Sequence, residues 1–422
     1  MRRPSAKRSI IVVAGGTGGH VFPALALAEE LRTQGHDIIF FTDPRGAKFM
    51  PVPQDFQQDF HNATPQKTNQ EGREPCAVFM KYQNDVDLDP DVRRPHSLRD
   101  EDCKLLPGNI VVRVLPLQGR QNPVKFYFSL VRCLLKGLSD VRRYRPKIVA
   151  GFGGYPALTW GLIAGLFRIP LIIHEQNAIL GRTNRLLTRW ANCVALTFKS
   201  VSPAFGPHEM GTGTRTSTST VTGVPVREAF KSVDYDSSKG QESFRLLVLG
   251  GSQGAKIFGD VIPKAIQLLP KPLQERLEIT QQCGIEDLDK VKRTYEGTGV
   301  KVSIAPFFHH VAGLLEASHL VIARAGASTI AEITTVGRPA LFVPLPGARD
   351  DHQTANARTV VTAEGGWLFD QRTLTPERVA SFLRRALECP SILLLAAEGA
   401  RREGHQGATQ KLSKLVLACL AN

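Results

Sequence analysis

Short apolar runs alternate along this chain with longer stretches in which apolar residues return every three or four positions. The first pattern is that of buried strands and the second that of amphipathic helices. Their alternation predicts an α/β fold, with a parallel sheet covered by helices. Expected strands are Ile10–Ala14, Asp37–Thr42, Ile110–Leu115, Ile148–Gly151, Leu171–His174, Val194–Phe198 and Ser219–Thr222. A second series comprises Arg245–Leu249, Leu277–Gln281, Lys301–Ala305, Leu320–Ala323 and Ala340–Val343. Each series opens with a strand, a glycine-rich turn and a helix, AGGTGGH at 14–20 and LGGSQGA at 249–255. That is a repeat of architecture rather than of sequence. The polar stretch KSVDYDSSKGQE at 231–242 reads as the linker between them. Residues 51–108, rich in Pro, Gln, Asn and Asp, read as a polar insertion, and GTGTRTSTST at 211–220 as a surface loop entering an edge strand.

One helical stretch carries a second signal. Between Arg120 and Lys147, the residues Val124, Phe128, Val131, Leu135 and Leu138 share a face that is expected to pack mostly on the sheet. Phe126, Tyr127, Leu130 and Leu134 widen the apolar surface beyond one core stripe. Eight basic residues stand in the same stretch against the single Asp140, a composition that suits contact with an anionic lipid surface.

The formal charge of +14 over 422 residues fits the same idea, since it calls for a nucleic acid, an anionic membrane or a phosphate-bearing substrate. No nucleic-acid-binding module is recognisable, so nucleic acid is not expected as a partner. Seven cysteines without a C-x-x-C pair argue against a disulfide framework or a structural zinc site, and for a reducing compartment. The apolar stretch Ala157–Phe167, closed by Arg168, is too short to span a bilayer, and the basic start lacks the apolar core of a signal peptide. A cytoplasmic location is expected.

Candidate chemistry gathers at strand ends. The first turn only partly fits the dinucleotide fingerprint: Gly16 and Gly18 match, the third glycine position falls on Val21, and Asp43 stands where an acidic ribose ligand would be. Four glycines exceed what a bare corner needs, and His20 at the mouth stands where a substrate would lie. The second turn offers backbone N–H groups and the Ser252 hydroxyl at a helix N-terminus, a seat for a diphosphate. In RAGASTIAEITTVGRP at 324–339, Thr329 and Glu332 have capping-box spacing, but Glu332 could equally accept hydrogen bonds from a ribose diol. HEQN at 174–177 follows an apolar strand, and Ala178 excludes a zincin motif. The D-x-D spacing at 85–91 reads as a solvated acidic loop, so no metal is expected. Two other readings remain open at this point: a nicotinamide-dependent oxidoreductase using Asp43, and a non-catalytic sugar-nucleotide-binding partner.

Seven motifs taken together narrow the choice. GGTGGHVFPALALAEEL, GFGGYPALTWGLIAG, HEQNAILGRTNRLL, TGVPVR, LGGSQGAKIF, RAGASTIAE and DDHQTANA, in this order, resemble the MurG family of peptidoglycan glycosyltransferases. The resemblance runs from about residue 9 to the C-terminus, apart from 51–108. It implies two Rossmann-like domains facing a cleft, the glycosyltransferase B-type fold. Residues 1–226 would bind acceptor and membrane, completed by a C-terminal helix within 405–422, and residues 227–404 would bind the UDP-sugar. The implied reaction is inverting transfer of N-acetylglucosamine from UDP-GlcNAc to lipid I, forming lipid II, without cofactor or metal. Its implied setting is the cytoplasmic side of the bacterial inner membrane, on anionic phospholipid, beside other cell-wall synthesis proteins.

Carried over by position, His20 is the implied base and Glu175 the alternative. Thr17, Gly18 and Gly19 would face donor sugar and acceptor, with Tyr155 on the acceptor side. Asn177 and Gln353 would meet the donor sugar, with Asn356 beside them, and Arg227 and Ser252 the diphosphate. Phe308 would lie at the uracil, and Ala327, Ser328, Thr329, Ile330, Ala331 and Glu332 would cradle the nucleotide, Glu332 on the ribose. Two departures stand out: Val224 where the family often has Asn, and the long insertion after Met50.

Overall fold

The computed structural model describes residues 9–50, 104–106, 110–117, 123–204, 218–236, 240, 242–251 and 254–421. Two sheets form its frame. The first contains β1 (Ile10–Val13), β2 (Ile38–Thr42), β3 (Lys104–Leu106), β4 (Ile110–Val114), β5 (Ile148–Gly151), β6 (Leu171–Glu175), β7 (Cys193–Leu196) and β8 (Thr218–Val221). Their order is β3-β4-β2-β1-β5-β6-β7-β8, parallel except for the β3–β4 pair. The second contains β9 (Phe244–Leu249), β10 (Leu277–Gln282), β11 (Lys301–Ala305), β12 (Leu320–Ala323), β13 (Ala340–Phe342) and β14 (Gly366–Leu368). These are all parallel, in the order β11-β10-β9-β12-β13-β14. Strand order therefore reverses between β1 and β5 in one sheet and between β9 and β12 in the other. Such switch points open crevices at the carboxyl ends of the strands, where ligands of doubly wound sheets bind.

The continuous apolar runs follow from burial on both faces. Ile11 and Val13 face one core with Trp160 and Leu171, while Ile10 and Val12 face another with Leu27, Leu31, Leu412 and Val416. The last two belong to the helix Ala408–Ala421, which packs on the helix Gly18–Thr33 of the first sheet, where Ser413 Oγ donates to Gln34 Oε1 at 3.0 Å. The chain thus ends on the sheet where it began. Phe258, Ile262, Val248 and Leu383 anchor a third core against the second sheet.

Two strands depart from the expectation. β3 lies within the stretch read as polar insertion, and β14 (GWL) is too short and too glycine-led to show a period. The D-x-D spacing at 85–91 and residues 211–217 of the low-complexity loop lie outside the described residues.

The basic helix, Pro123–Tyr144, corrects the expected phase. Phe128, Val131 and Leu135 are 73, 53 and 63 % exposed, whereas Phe126, Ser129, Cys133 and Asp140 are buried. Gly137 explains the choice: it lies against Ile163 of the helix Gly154–Phe167 so closely that any Cβ would collide. The glycine side permits the close approach, and Phe128, Val131 and Leu135 of the stripe expected in the core face outward instead.

Candidate active site

Glycine turns occupy both switch points. After β1, Gly15 has no room for a side chain, because a Cβ would lie 2.5 Å from Pro156 Cγ, and Gly16 turns the chain with φ 87°. After β5, Gly154 (φ 78°) would bring a Cβ within 2.9 Å of the Gly15 carbonyl oxygen. The two turns therefore lock together only as glycines. His20 fills the space beside them: a Cβ on Gly153 would come 3.1 Å from its Nε2.

The imidazole is oriented by its other nitrogen. Nδ1 lies 3.2 Å from the Gly15 carbonyl oxygen and 3.3 Å from Thr17 Oγ1. A carbonyl only accepts, so Nδ1 carries the proton and Nε2 keeps a bare lone pair. Burial pushes the His20 pKa down to about 4, so the ring is neutral at neutral pH. Gly18 is buried, Gly19 half-buried and Thr17 exposed at the mouth.

Asp43 does something other than expected for a nicotinamide enzyme. Its Oδ1 accepts from the Gly16 and Gly46 N–H groups at 2.9 and 2.8 Å, and Arg45 Nη2 donates to its Oδ2 at 2.9 Å. It is 2 % exposed and braces the glycine turn, leaving no carboxylate face for a ribose diol. The oxidoreductase reading falls with that.

At the end of β6, Glu175 is buried with both oxygens occupied. Oε1 accepts from Asn177 N and Nδ2 at 3.0 and 3.2 Å, and Oε2 from Gly181 N and Asn184 Nδ2 at 2.9 and 2.8 Å. Burial pushes its pKa up while these four donors oppose the shift. A carboxylate so enclosed positions the 175–181 turn and has no lone pair open to a substrate hydroxyl, which corrects its expected part as alternative base. Asn184 and Gly153 went unassigned in the sequence, although both stand inside the motifs HEQNAILGRTN and GFGG.

In the second sheet, Gly251 (φ 80°) and Gly254 (φ 70°) shape the turn between β9 and the helix Lys256–Gln267, while Ser252 lies outside the described residues. After β12, the helix Ala327–Val336 starts at Gly326 as its N-cap, so Thr329 sits inside the helix and the capping-box reading fails. Glu332 Oε1 instead lies 3.7 Å from Arg227 Nη2, and burial raises its pKa to about 7 against the opposing pull of that guanidinium. Arg227 also lies over the rings of Phe22 and Phe230, 5.6 and 5.0 Å from their centroids. Ala327 and Ile330 are buried, and Ser328, Thr329 and Ala331 half-buried.

The two crevices meet. Ser328 Oγ donates to the Gly19 carbonyl at 3.3 Å, setting the start of one switch-point helix against the start of the other. Asn356, expected beside the donor sugar, is fully buried: its Oδ1 accepts from Ala178 N at 2.7 Å and its Nδ2 donates to Asn177 Oδ1 at 3.1 Å. Gln353 Oε1 accepts from Ala325 N and Leu345 N at 3.3 and 2.9 Å. Tyr155 and Phe308 join none of these pairs. Tyr155 stands in the first turn of the helix Gly154–Phe167, edge-on to Phe126 at 4.6 Å, and Phe308 is half-buried at the carboxyl end of β11.

Known proteins resemble this chain in sequence and fold. The glycosyltransferase family 28 N-terminal domain matches residues 10–71 and 110–196, and the family 28 C-terminal domain matches 245–412. A protein of Granulibacter bethesdensis named UDP-N-acetylglucosamine--N-acetylmuramyl-(pentapeptide) pyrophosphoryl-undecaprenol N-acetylglucosamine transferase is 40 % identical over 99 % of this chain and 95 % of its own length. A protein of the same name from Paramagnetospirillum magneticum is 37 % identical over 99 % of this chain and 98 % of its own. The chain belongs to the MurG family of family 28 glycosyltransferases. Among solved structures, Acinetobacter baumannii MurG superposes with a TM-score of 0.67 at 27 % identity, covering 97 % of this chain and 99 % of that one. A Neisseria meningitidis UDP-GlcNAc 2-epimerase, with a TM-score of 0.56 at 11 % identity and coverage of 98 and 99 %, shares the fold alone.

Against this family background the outward face of the helix Pro123–Tyr144 gains meaning. Tyr127, Phe128, Val131 and Leu135 are exposed beside the exposed Arg132 and Lys136, and Leu166 and Phe167 are exposed at the end of the helix packed against this one. An apolar face of this breadth within a basic rim is what an amphipathic element presents to an anionic bilayer. No helix among the described residues is long and apolar enough to cross a membrane.

Proposed function

We propose that this chain transfers N-acetylglucosamine from UDP-GlcNAc to lipid I, forming lipid II by a single inverting displacement. The observation that carries the reading is the Ser328–Gly19 hydrogen bond, which sets the His20 turn against the helix start best suited to a sugar nucleotide. A hydroxyl of lipid I attacks the anomeric carbon, the new C–O bond forms opposite UDP, and the bond to the β-phosphate oxygen breaks. The electron pair leaves with UDP, and the hydroxyl proton passes to Nε2 of His20, the nitrogen left bare by the Gly15 carbonyl.

Charge growing on UDP meets backbone N–H groups around the 250–254 turn, the Ser252 hydroxyl and the Arg227 guanidinium. Residues Ala327 to Glu332 cradle the nucleotide, with the Glu332 carboxylate accepting from the ribose and the backbone at Phe308 reading the uracil. Gln353, whose oxygen is already engaged by two backbone donors, offers its amide nitrogen to the donor sugar. Thr17, Gly18 and Gly19 line the junction of sugar and acceptor, and Tyr155 the acceptor side. The reaction so drawn calls for no metal or cofactor.

The division of labour is between residues 1–226 with 405–422, which take the acceptor, and 227–404, which take the donor. The apolar face around Phe128 rests on anionic phospholipid at the cytoplasmic surface of the inner membrane, where the acceptor lies. Nuclear magnetic resonance of the product tests the displacement. A β-linked sugar from the α-linked donor is expected, and a retained α-linkage would overturn it.

A further inference from the structure

The contact between Asn177 and Asn356 is one link in an unbroken polar chain. Asn184 Nδ2 donates to Glu175 Oε2, and Glu175 Oε1 accepts from Asn177 Nδ2. The far end of the same amide, Asn177 Oδ1, accepts from Asn356 Nδ2, which also donates to the Ala325 carbonyl at 3.2 Å. Gln353 Oε1 in turn accepts from the Ala325 N–H. The chain runs from the end of β6 in the first sheet to the loop after β12 in the second, and Asn356 makes the buried crossing.

Each amide has only one possible sense. Ala178 N can only donate, which fixes Asn356 Oδ1, and that leaves Asn356 Nδ2 to face Asn177 Oδ1. Asn177 must then turn its own Nδ2 to Glu175. Asn356 spends its oxygen on the first-sheet turn and both amide hydrogens on the two sides of the crossing, at 0 % exposure. Removing it takes a partner from the half-buried Ala178 N and Asn177 Oδ1 and from the buried Ala325 carbonyl, and a polar group left without its partner away from water is costly. A fully satisfied buried network also has one preferred geometry, so it transmits displacement between the groups it joins.

We propose that Asn356 is a positioning residue that ties the orientation of Asn177 and the 175–181 turn to occupancy of the donor cradle at Ala325–Glu332. The inference rests on the donor and acceptor assignments proposed above. Binding of the nucleotide at the cradle holds the Ala325 loop, Asn356 relays that hold to Ala178 and Asn177, and the first-sheet turn is set for the transfer step. Asn356 touches neither sugar nor base in this account.

Hydrogen exchange resolved to single amides tests it on the full-length chain, with UDP alone as the probe. UDP is expected to slow exchange at Ala178 and across 177–181 in the unaltered protein, and to leave those amides unchanged in Asn356→Ala, although UDP still binds the variant. Asn356→Asp keeps an oxygen for Ala178 N but loses both amide donations, and serves if the alanine variant does not fold. Transfer assays should show kcat down about tenfold to a hundredfold with the KM for UDP-GlcNAc near its original value, the pattern of misplacement rather than lost binding. In the double variant Asn177→Ala/Asn356→Ala the losses should not multiply. Protection of 177–181 by UDP that persists in both Asn356 variants, or that is absent from the unaltered protein, overturns the proposal. UDP-dependent protection without any sugar transfer would keep the coupling and instead refute the assigned reaction.

Discussion

Glu332 and Arg227 face each other across 3.7 Å, the carboxylate largely enclosed with 17 % of its side chain exposed and the guanidinium about half open to solvent. Each is left incompletely satisfied by the other. Burial holds the Glu332 pKa near 7, so a change of partner or of pH changes its charge within the physiological range.

That position has a signed consequence for stability. The folded pKa of about 7 stands above the ordinary 4.5 of a glutamate, so folding is favoured with Glu332 protonated. This contribution is complete below about pH 4.5 and is lost as the pH rises through about 7. The shift corresponds to about 3 kcal/mol at most. Glu332→Gln is therefore expected to melt higher than the unaltered protein at about pH 8 and to match it near pH 5. Equal melting temperatures at both pH values would contradict the assignment. For ligand binding the sign reverses: under the proposed ribose contact it is the carboxylate form that would accept from the diol, so UDP affinity should rise between about pH 5.5 and 8, and isothermal titration should show that rise flattened in Glu332→Gln.

His20 is the base of the proposed displacement. Loss of a general base typically costs about 10²–10⁴-fold, so His20→Ala should lose kcat in that range while UDP-GlcNAc binds as before. With the ring neutral above about pH 4, His20 itself should not limit the rate near neutrality. A loss below tenfold would move the base elsewhere.

Glu175 is a brace. In Glu175→Gln an amide NH2 replaces one oxygen and meets two donors head-on. Chemical denaturation should register a loss of about 1–3 kcal/mol, with exchange at 177–181 accelerated. Unchanged stability would mean that the four contacts are not formed together in solution.

The helix Pro123–Tyr144 offers a test of its outward face. Phe128→Ser combined with Leu135→Ser should lower partitioning to anionic vesicles about tenfold or more, since a fully inserted side chain of this kind contributes about 1.5–3 kcal/mol. Melting temperature and UDP affinity should not move, because both side chains are exposed. Vesicle sedimentation of equal fractions of variant and original protein would assign the face to something other than lipid.

Much of this architecture is written locally. Runs such as IIVV and IVAG are buried on both sides, so they read as strands without any period. The glycines at 15, 16, 250 and 251 mark the switch points: a Cβ on Gly15 would meet Pro156 and one on Gly250 the backbone of Ala255, while Gly16 and Gly251 turn the chain at φ 87° and 80°. What sequence pattern leaves open is the partner. The helix 123–144 has apolar residues on more than one side, and its contacts, Gly137 with Ile163, Phe126 with Tyr155 and Tyr144 with Phe41, show which side is buried. Thr329 and Glu332 have the spacing of a capping box, but the helix begins at Gly326, a fact set by the end of β12. Asp43 and Asn356 look like ligand-binding polar residues until their partners at Gly16 and Ala178, 27 and 178 positions away in sequence, are in view.

Transfer itself is measured directly as movement of labelled N-acetylglucosamine from the UDP donor to a lipid I analogue in detergent or anionic vesicles, with chelator present. Labelled disaccharide lipid, formed at an undiminished rate with chelator and lost in His20→Ala, is the expected result. UDP-GlcNAc binding without any labelled lipid would contradict the account and make this chain a sugar-nucleotide-binding partner rather than the transferase.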